Sequence, residues 1–189
     1  FAASGDLDIR DNLVIKGGLG GTTIIELAAL PANTTASALN RDRLFQILSG
    51  VTVTIQGVTL QNGAVFGSED GGAIRNNGTL ILQDAEIKNR SSQDDAGAIL
   101  NSGTATITRT TIAGNTATAT GGAIRNTGTL LLTNSTLSAN TSGGNGGGLM
   151  NVAGGTATLE GVTISGNTAT NGAGGGIRND GTLRLINDT

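Results

Sequence analysis

Apolar residues return along this chain in columns, and a recurring hexapeptide fixes their spacing. Gly71-Gly72-Ala73-Ile74-Arg75-Asn76 comes back as AGAILN closing at Asn101, GGAIRN at Asn126, GGGLMN at Asn151 and GGGIRN at Asn179. The closing asparagines are 25, 25, 25 and 28 residues apart. One apolar column reads Ile47, Ile74, Ile99, Ile124, Leu149, Ile177, and a second reads Val53, Leu80, Ala105, Leu130, Ala157, Leu183. Two residues beyond the second stands a third: Ile55, Leu82, Ile107, Leu132, Leu159, Leu185. A fourth holds Leu60, Ile87, Ile112, Leu137 and Ile164. The second and third columns enclose a mostly polar or threonine position, which is the alternation of a strand, and no segment has the length or period of a helix.

Each period therefore predicts three short strands, on the GGAI segment, on GTLxL and around Ile87 or Ile112. Glycine and asparagine fall at the turns, where positive φ is cheap for them. Repeats of this length bury their apolar faces only against neighbouring repeats. The prediction is an all-β, right-handed parallel β-helix with about 25 residues and three short strands per coil. Strands about 4.8 Å apart would bring each column into contact with itself along the axis.

The chain reads as one such domain. Residues 1–26 form a first coil (Ile9, Leu13, Ile15, Ile24, Ile25), 27–43 a loop insertion around Pro31, and 44–189 the regular coils. Small insertions at Val152–Gly155 and near Gly172-Ala173 fall at turns, and the columns recover after them. The sequence stops at GTLRLINDT, partway through a coil, so a longer native protein is expected, because solenoids cap their open ends.

Composition removes several function classes. There is no cysteine and no histidine, which excludes disulfides, thiolate or imidazole metal sites and His-dependent triads. A net charge of −3 with 2% aromatic residues offers neither a basic stripe nor a stacking platform for nucleic acid. No run approaches the ~18 apolar residues of a membrane helix. Glycine numbers 32, yet the fixed apolar register argues for a packed core and against disorder.

Four kinds of polar column remain as candidate chemistry. Asn76, Asn101, Asn126, Asn151 and Asn179 stack at one turn and Asn115, Asn140 and Asn167 at another, with Asn62 and Asn89 one place early for the second set. Both sets are read as asparagine ladders, each amide bonding its neighbour in the next coil. Thr52, Thr79, Thr104, Thr129, Thr156 and Thr182 form an unbroken column, joined in alternate coils by Thr54, Thr106 and Thr158. Arg75, Arg125 and Arg178 alternate with Leu100 and Met150 in an outward column, predicting a small apolar stripe among solubilising charges. Glu69, Asp70, Asp94 and Asp95 occupy equivalent places in adjacent coils. Four such carboxylates suit Ca²⁺ as oxygen ligands, or else form a solvated acidic turn.

The stretches GGAIRNNGTLIL (71–82), GGAIRNTGTLLLTNSTLSAN (121–140) and GGGIRNDGTLRL (174–185), with the opening DLDIRDNLVIKG, resemble the β-helix repeats of the pectate-lyase-like superfamily. They are closer still to the GGAI-type repeats of large bacterial surface and secreted proteins, such as the chlamydial polymorphic outer membrane proteins. This resemblance implies an extracellular or cell-surface location, a non-catalytic structural or adhesive role, and partners that are the chain itself, other surface proteins or glycans. The enzyme branch of the superfamily cleaves acidic polysaccharides with carboxylate-held Ca²⁺ and a basic residue, or with clustered aspartates beside a histidine. Asp94-Asp95 is similar to that aspartate pair and Arg75 or Arg125 to a lyase base, but the histidine and the aromatic sugar platforms are missing. The threonine columns resemble the faces of ice-binding solenoids, the third reading, although Ile81, Leu131 and Arg184 interrupt the second rank.

Overall fold

A computed structural model describes residues 7–18, 22–26, 43–65 and 70–189. Among these residues the chain is a parallel β-helix of three sheets with no helix, taking roughly 27 residues per turn. The first sheet stacks Leu7–Ile9, Phe45–Ile47, Ile74–Asn76, Ile99–Asn101, Ile124–Asn126, Leu149–Asn151 and Ile177–Asn179. The second stacks Leu13–Lys16, Thr52–Gln56, Thr79–Gln83, Thr104–Thr108, Thr129–Thr133, Thr156–Glu160 and Thr182–Ile186. The third begins with Thr23–Glu26, Val58–Val65 and Glu86–Ser92, and then continues as pairs of shorter strands such as Thr111–Ala113 and Thr116–Ala117. The expected loop insertion lies almost wholly outside the described residues; its last member, Arg43, is buried.

The second, third and fourth apolar columns stand as the period predicts, with Leu80 over Val53, Ile107 over Leu82 and Ile112 over Ile87. They close on a single interior in which Ile55, Leu82, Ile87, Ile107, Ile112 and Leu132 are fully buried. Each such side chain contributes roughly 1.5–3 kcal/mol of burial. The first column needs a correction. Phe45, not Ile47, pairs with Ile74, and Ile47 lies beneath Asn76. Four residues (48–51) join Ile47 to the second sheet where two (77–78) join Asn76, so counting by the period places Ile47 two residues out of register. The four-residue turn 152–155 repeats this enlargement, and the strands realign beyond it.

The coil turns its corners on left-handed residues. Gly71, Ala96, Gly121, Gly146 and Gly174 form one such column, and Gly57, Asp84, Arg109, Asn134 and Gly161 another. The third is Asn62, Asn89, Gly114, Ala139 and Gly166. Asn62 and Asn89 are therefore corner residues, which is why they precede the ladder by one place. The GG pair of the repeat divides two duties. The first glycine takes positive φ, and the second admits the coil above: a Cβ on Gly97 would run into the carbonyl oxygen of Gly122.

Both asparagine ladders are present. Nδ2 of Asn76 donates to Oδ1 of Asn101 (2.7 Å), Asn101 to Asn126 (2.7 Å), Asn126 to Asn151 (2.8 Å) and Asn151 to Asn179 (2.7 Å). Each amide also serves its turn: Asn126 Nδ2 reaches the carbonyls of Gly128 and Thr156. In the second ladder Asn115 donates to Asn140 and Asn140 to Asn167 (3.0 and 2.9 Å), while the backbone N–H groups of Asn115 and Asn140 bond the same oxygens.

Asn126 sits mid-ladder and is fully buried. Replacing it with Ala strands partners on both sides at ~1–3 kcal/mol per unpaired group. Asn126→Ala is expected to cost about 3 kcal/mol in urea denaturation, and Asn179→Ala, at the exposed last rung, about 1 kcal/mol or less. Equal costs at the two positions would contradict a ladder that works through its neighbours.

Candidate functional site

The acidic turn is built on the residue just before each left-handed corner. Asp70 Oδ1 accepts the backbone N–H of Asp95 (3.1 Å). Asp95 Oδ1 accepts both the backbone N–H (2.9 Å) and the hydroxyl (2.6 Å) of Thr120. Two coils on, Asn145 Oδ1 accepts the N–H of Ala173 (2.8 Å). One side-chain oxygen thus caps a backbone donor of the following coil, and the carboxylates of Asp70 and Asp95 occupy that structural place. Asp94 continues the turn, its own N–H donating to Ser92 Oγ (3.1 Å).

Carboxylate oxygens of Asp70, Asp94 and Asp95 lie within 4.8 Å of one another, and all three residues are half-buried. The sequence expectation that these acids converge is met for these three; Glu69 lies outside the described residues. The second oxygen of Asp95 is 3.0 Å from Arg125 Nε, with both side chains largely covered. That contact is an ion pair without hydrogen-bond alignment, since the Nε–H itself has no acceptor. Asp95 is therefore occupied on both oxygens, and among the described residues Asp94 with the second oxygen of Asp70 is what remains for a cation. The donor chemistry is that of a hard cation, which takes ~6–8 oxygens as Ca²⁺.

Burial raises the Asp70 carboxyl above its ordinary pKa, and the charges of Asp95 and Asp94 push the same way. The Asp95 N–H and Arg75 oppose the rise without cancelling it.

No protein-family model, curated protein or solved structure matches the chain. The likeness to known β-helix repeats thus rests on the coil and its motifs. Among the described residues no helix is long and apolar enough to cross a membrane.

The remaining columns fall as follows. The threonine column is in register through all six coils, and from Thr104 onward each member is exposed. Beside it run Thr54, Ile81, Thr106, Leu131, Thr158 and Arg184, so the interrupted second rank is real. The apolar stripe expected from Leu100 and Met150 is not exposed: they retain 4% and 7% accessibility. Each lies in register between two arginines, Leu100 between Arg75 and Arg125 and Met150 between Arg125 and Arg178. Aliphatic arginine stems beside an apolar residue cover it while the charge stays wet. At the corner between the second and third sheets, Arg109 grips Asp84 with two bonds (2.6 and 2.9 Å), which holds the Asp84 carboxyl below its usual range. Sequence reasoning missed Arg90, which occupies the place of a second-ladder asparagine; the signal was the gap 25 residues before Asn115.

The raised Asp70 pKa carries a signed consequence. A carboxyl that is harder to ionise when folded stabilises the fold below its unfolded pKa, and that stability is lost as pH rises through the folded value. Asp70→Asn keeps the oxygen that accepts from Asp95 and removes the charge. Thermal melts are expected to show a higher Tm for Asp70→Asn at pH 7, with the gain vanishing below about pH 4. A variant less stable than the parent at pH 7 would mean that the charge itself holds the turn.

Proposed function

We propose that this chain is a non-catalytic β-helix segment of a bacterial extracellular or cell-surface protein, serving as a stiff rod whose outer faces and turns make contacts. The partners suggested by its resemblance are further copies of itself, other surface proteins or glycans. The observation that carries this reading is the use made of the polar columns. Their amides and carboxylates are engaged with the next coil, as in the bonds running from Asn76 to Asn179 and from Asp95 to Thr120. Groups bonded in this way confer register and stiffness and are poor sources of acid, base or nucleophile.

The acidic turn argues the same way. Glycoside hydrolysis places two carboxyl groups ~5–9.5 Å apart across the scissile bond, with room between them for sugar or water. Here one oxygen from each of three carboxylates on two adjacent coils lies within 4.8 Å of the others, and one of the groups is held by an arginine. Incubation with acidic and neutral polysaccharides, with and without Ca²⁺, is expected to release neither unsaturated nor reducing ends. Calcium-dependent cleavage that disappears in Asp94→Ala would replace the rod with a polysaccharide lyase or hydrolase.

A second reading is favoured by the threonine column, which from Thr104 onward puts one exposed threonine on each coil at the strand spacing of ~4.8 Å. A face of this kind suits an ordered water lattice. If it binds ice, thermal hysteresis will be measurable and will fall when Thr104 and Thr129 are both changed to Lys. Absence of hysteresis in the parent chain would end that reading and leave the rod.

A further inference from the structure

Arg90 is the largest break in the polar logic of this helix. It stands directly before Asn115 in the second ladder, and its backbone N–H donates to Asn115 Oδ1 (3.1 Å), as the N–H groups of Asn115 and Asn140 do to their successors. Its side chain, however, is an arginine with 1% accessibility where its successors carry asparagine. Burial lowers its pKa to about 10.

The described partners of the guanidinium are backbone carbonyls. Nε donates to Gly72 O (2.8 Å), as does Nη2, and Nη1 donates to Asn62 O and to Gln61 O (3.3 Å). Gln61 and Asn62 lie before one turn of the preceding coil and Gly72 lies after it, so a single side chain bridges the two limbs. The room it occupies depends on Gly63, where a Cβ would collide with the guanidinium.

The segment between these limbs is also longer than its counterparts. In register, Val65 aligns with Ser92 and Ile74 with Ile99, yet eight residues (66–73) separate the first pair where six (93–98) separate the second. The next two coils also use six, 118–123 and 143–148. The two additional residues therefore fall in the coil whose limbs Arg90 bridges. An asparagine is too short to span both limbs. A guanidinium presents five donors in a rigid fork and can serve several carbonyls at once.

We propose that Arg90 is an internal clamp that ties together the two limbs flanking this longer segment, so that the β-helix can carry the extra residues without opening its core. The role is conformational and does not depend on what the outer faces bind. It also accounts for the second ladder beginning at Asn115, because the preceding rung is given to the clamp.

The test is a double-mutant cycle in urea denaturation, with Arg90→Asn, deletion of residues 67–68, and the two combined. In the parent background Arg90→Asn is expected to lower the folding constant by about tenfold or more. In the shortened background, Asn at position 90 can extend the ladder, and the loss should largely disappear. An equal loss in both backgrounds overturns the clamp, as does a parent-background variant as stable as the original. If the deletion does not fold, hydrogen exchange on Arg90→Asn alone decides. Faster exchange confined to peptides covering 58–72 and 86–97 supports the clamp, and a uniform change extending through 124–169, or no change, refutes it.

Discussion

Like stacks on like in this molecule, and nearly every other feature follows from that constraint. Parallel strands joined coil by coil put each residue against its own counterpart, ~4.8 Å away, with no freedom to choose a different neighbour. A side chain is therefore acceptable at a position only if it tolerates what stands at the same place in the coils above and below, most often a residue of its own kind. Aliphatic residues do, since Ile on Ile buries both. Asparagine does as well, because its amide is at once donor and acceptor and can repeat without end. Threonine outside and glycine at the close approaches complete the set. A composition of few aromatic and few charged residues is what this rule leaves.

Charge is where the rule presses hardest, because like charges in directly opposed positions destabilise a sheet. The columns show how the strain is avoided. Arginines 75, 125 and 178 are spaced by Leu100 and Met150 so that none stacks on another. In the corner column Asp84 is followed by Arg109, and in the third sheet Lys88 is followed by Ala113. The stack of Asp70 on Asp95 departs from the pattern. There the fold supplies a neighbouring N–H, a threonine and Arg125, and the Asp70 carboxyl still resists ionisation. That turn is accordingly one place where the electrostatics depart from the needs of stacking alone. Its most direct structural return is the capping of backbone donors.

Much of this was legible in the sequence because translational repetition turns a three-dimensional contact into a count along the chain. The second, third and fourth columns, the two ladders and the convergence of Asp70, Asp94 and Asp95 all follow from the period. One error falls where the period itself is broken. The turn 48–51 holds two residues more than its counterpart, so a count by the period puts Ile47 in the column that Phe45 fills. Corner conformation has no period in residue type: Asn62, Gly114 and Ala139 share one left-handed position although their side chains have little in common. The burial of Leu100 and Met150 depends on what long neighbouring arginines do, which strand alternation does not encode. Arg90 was hidden because its partners are backbone carbonyls, and no residue identity in the sequence announces them.

The irregularities are what distinguish one coil from another. In a quasi-one-dimensional array, stability is approximately a sum over coils and their interfaces, so a local fault stays local unless it interrupts a ladder. Enlarged turns at 48–51 and 152–155 lie outside the strands, and the sheets realign after each. The longer segment before Gly72 is the one whose two flanking limbs are joined by a buried cation. A β-helix can accept extra length at its corners almost freely while the inward columns keep their register. Where the added length disturbs the carbonyls that face the core, it must acquire new donors. The single arginine in an asparagine column therefore marks the coil where the repeat gives up uniformity to carry a longer turn.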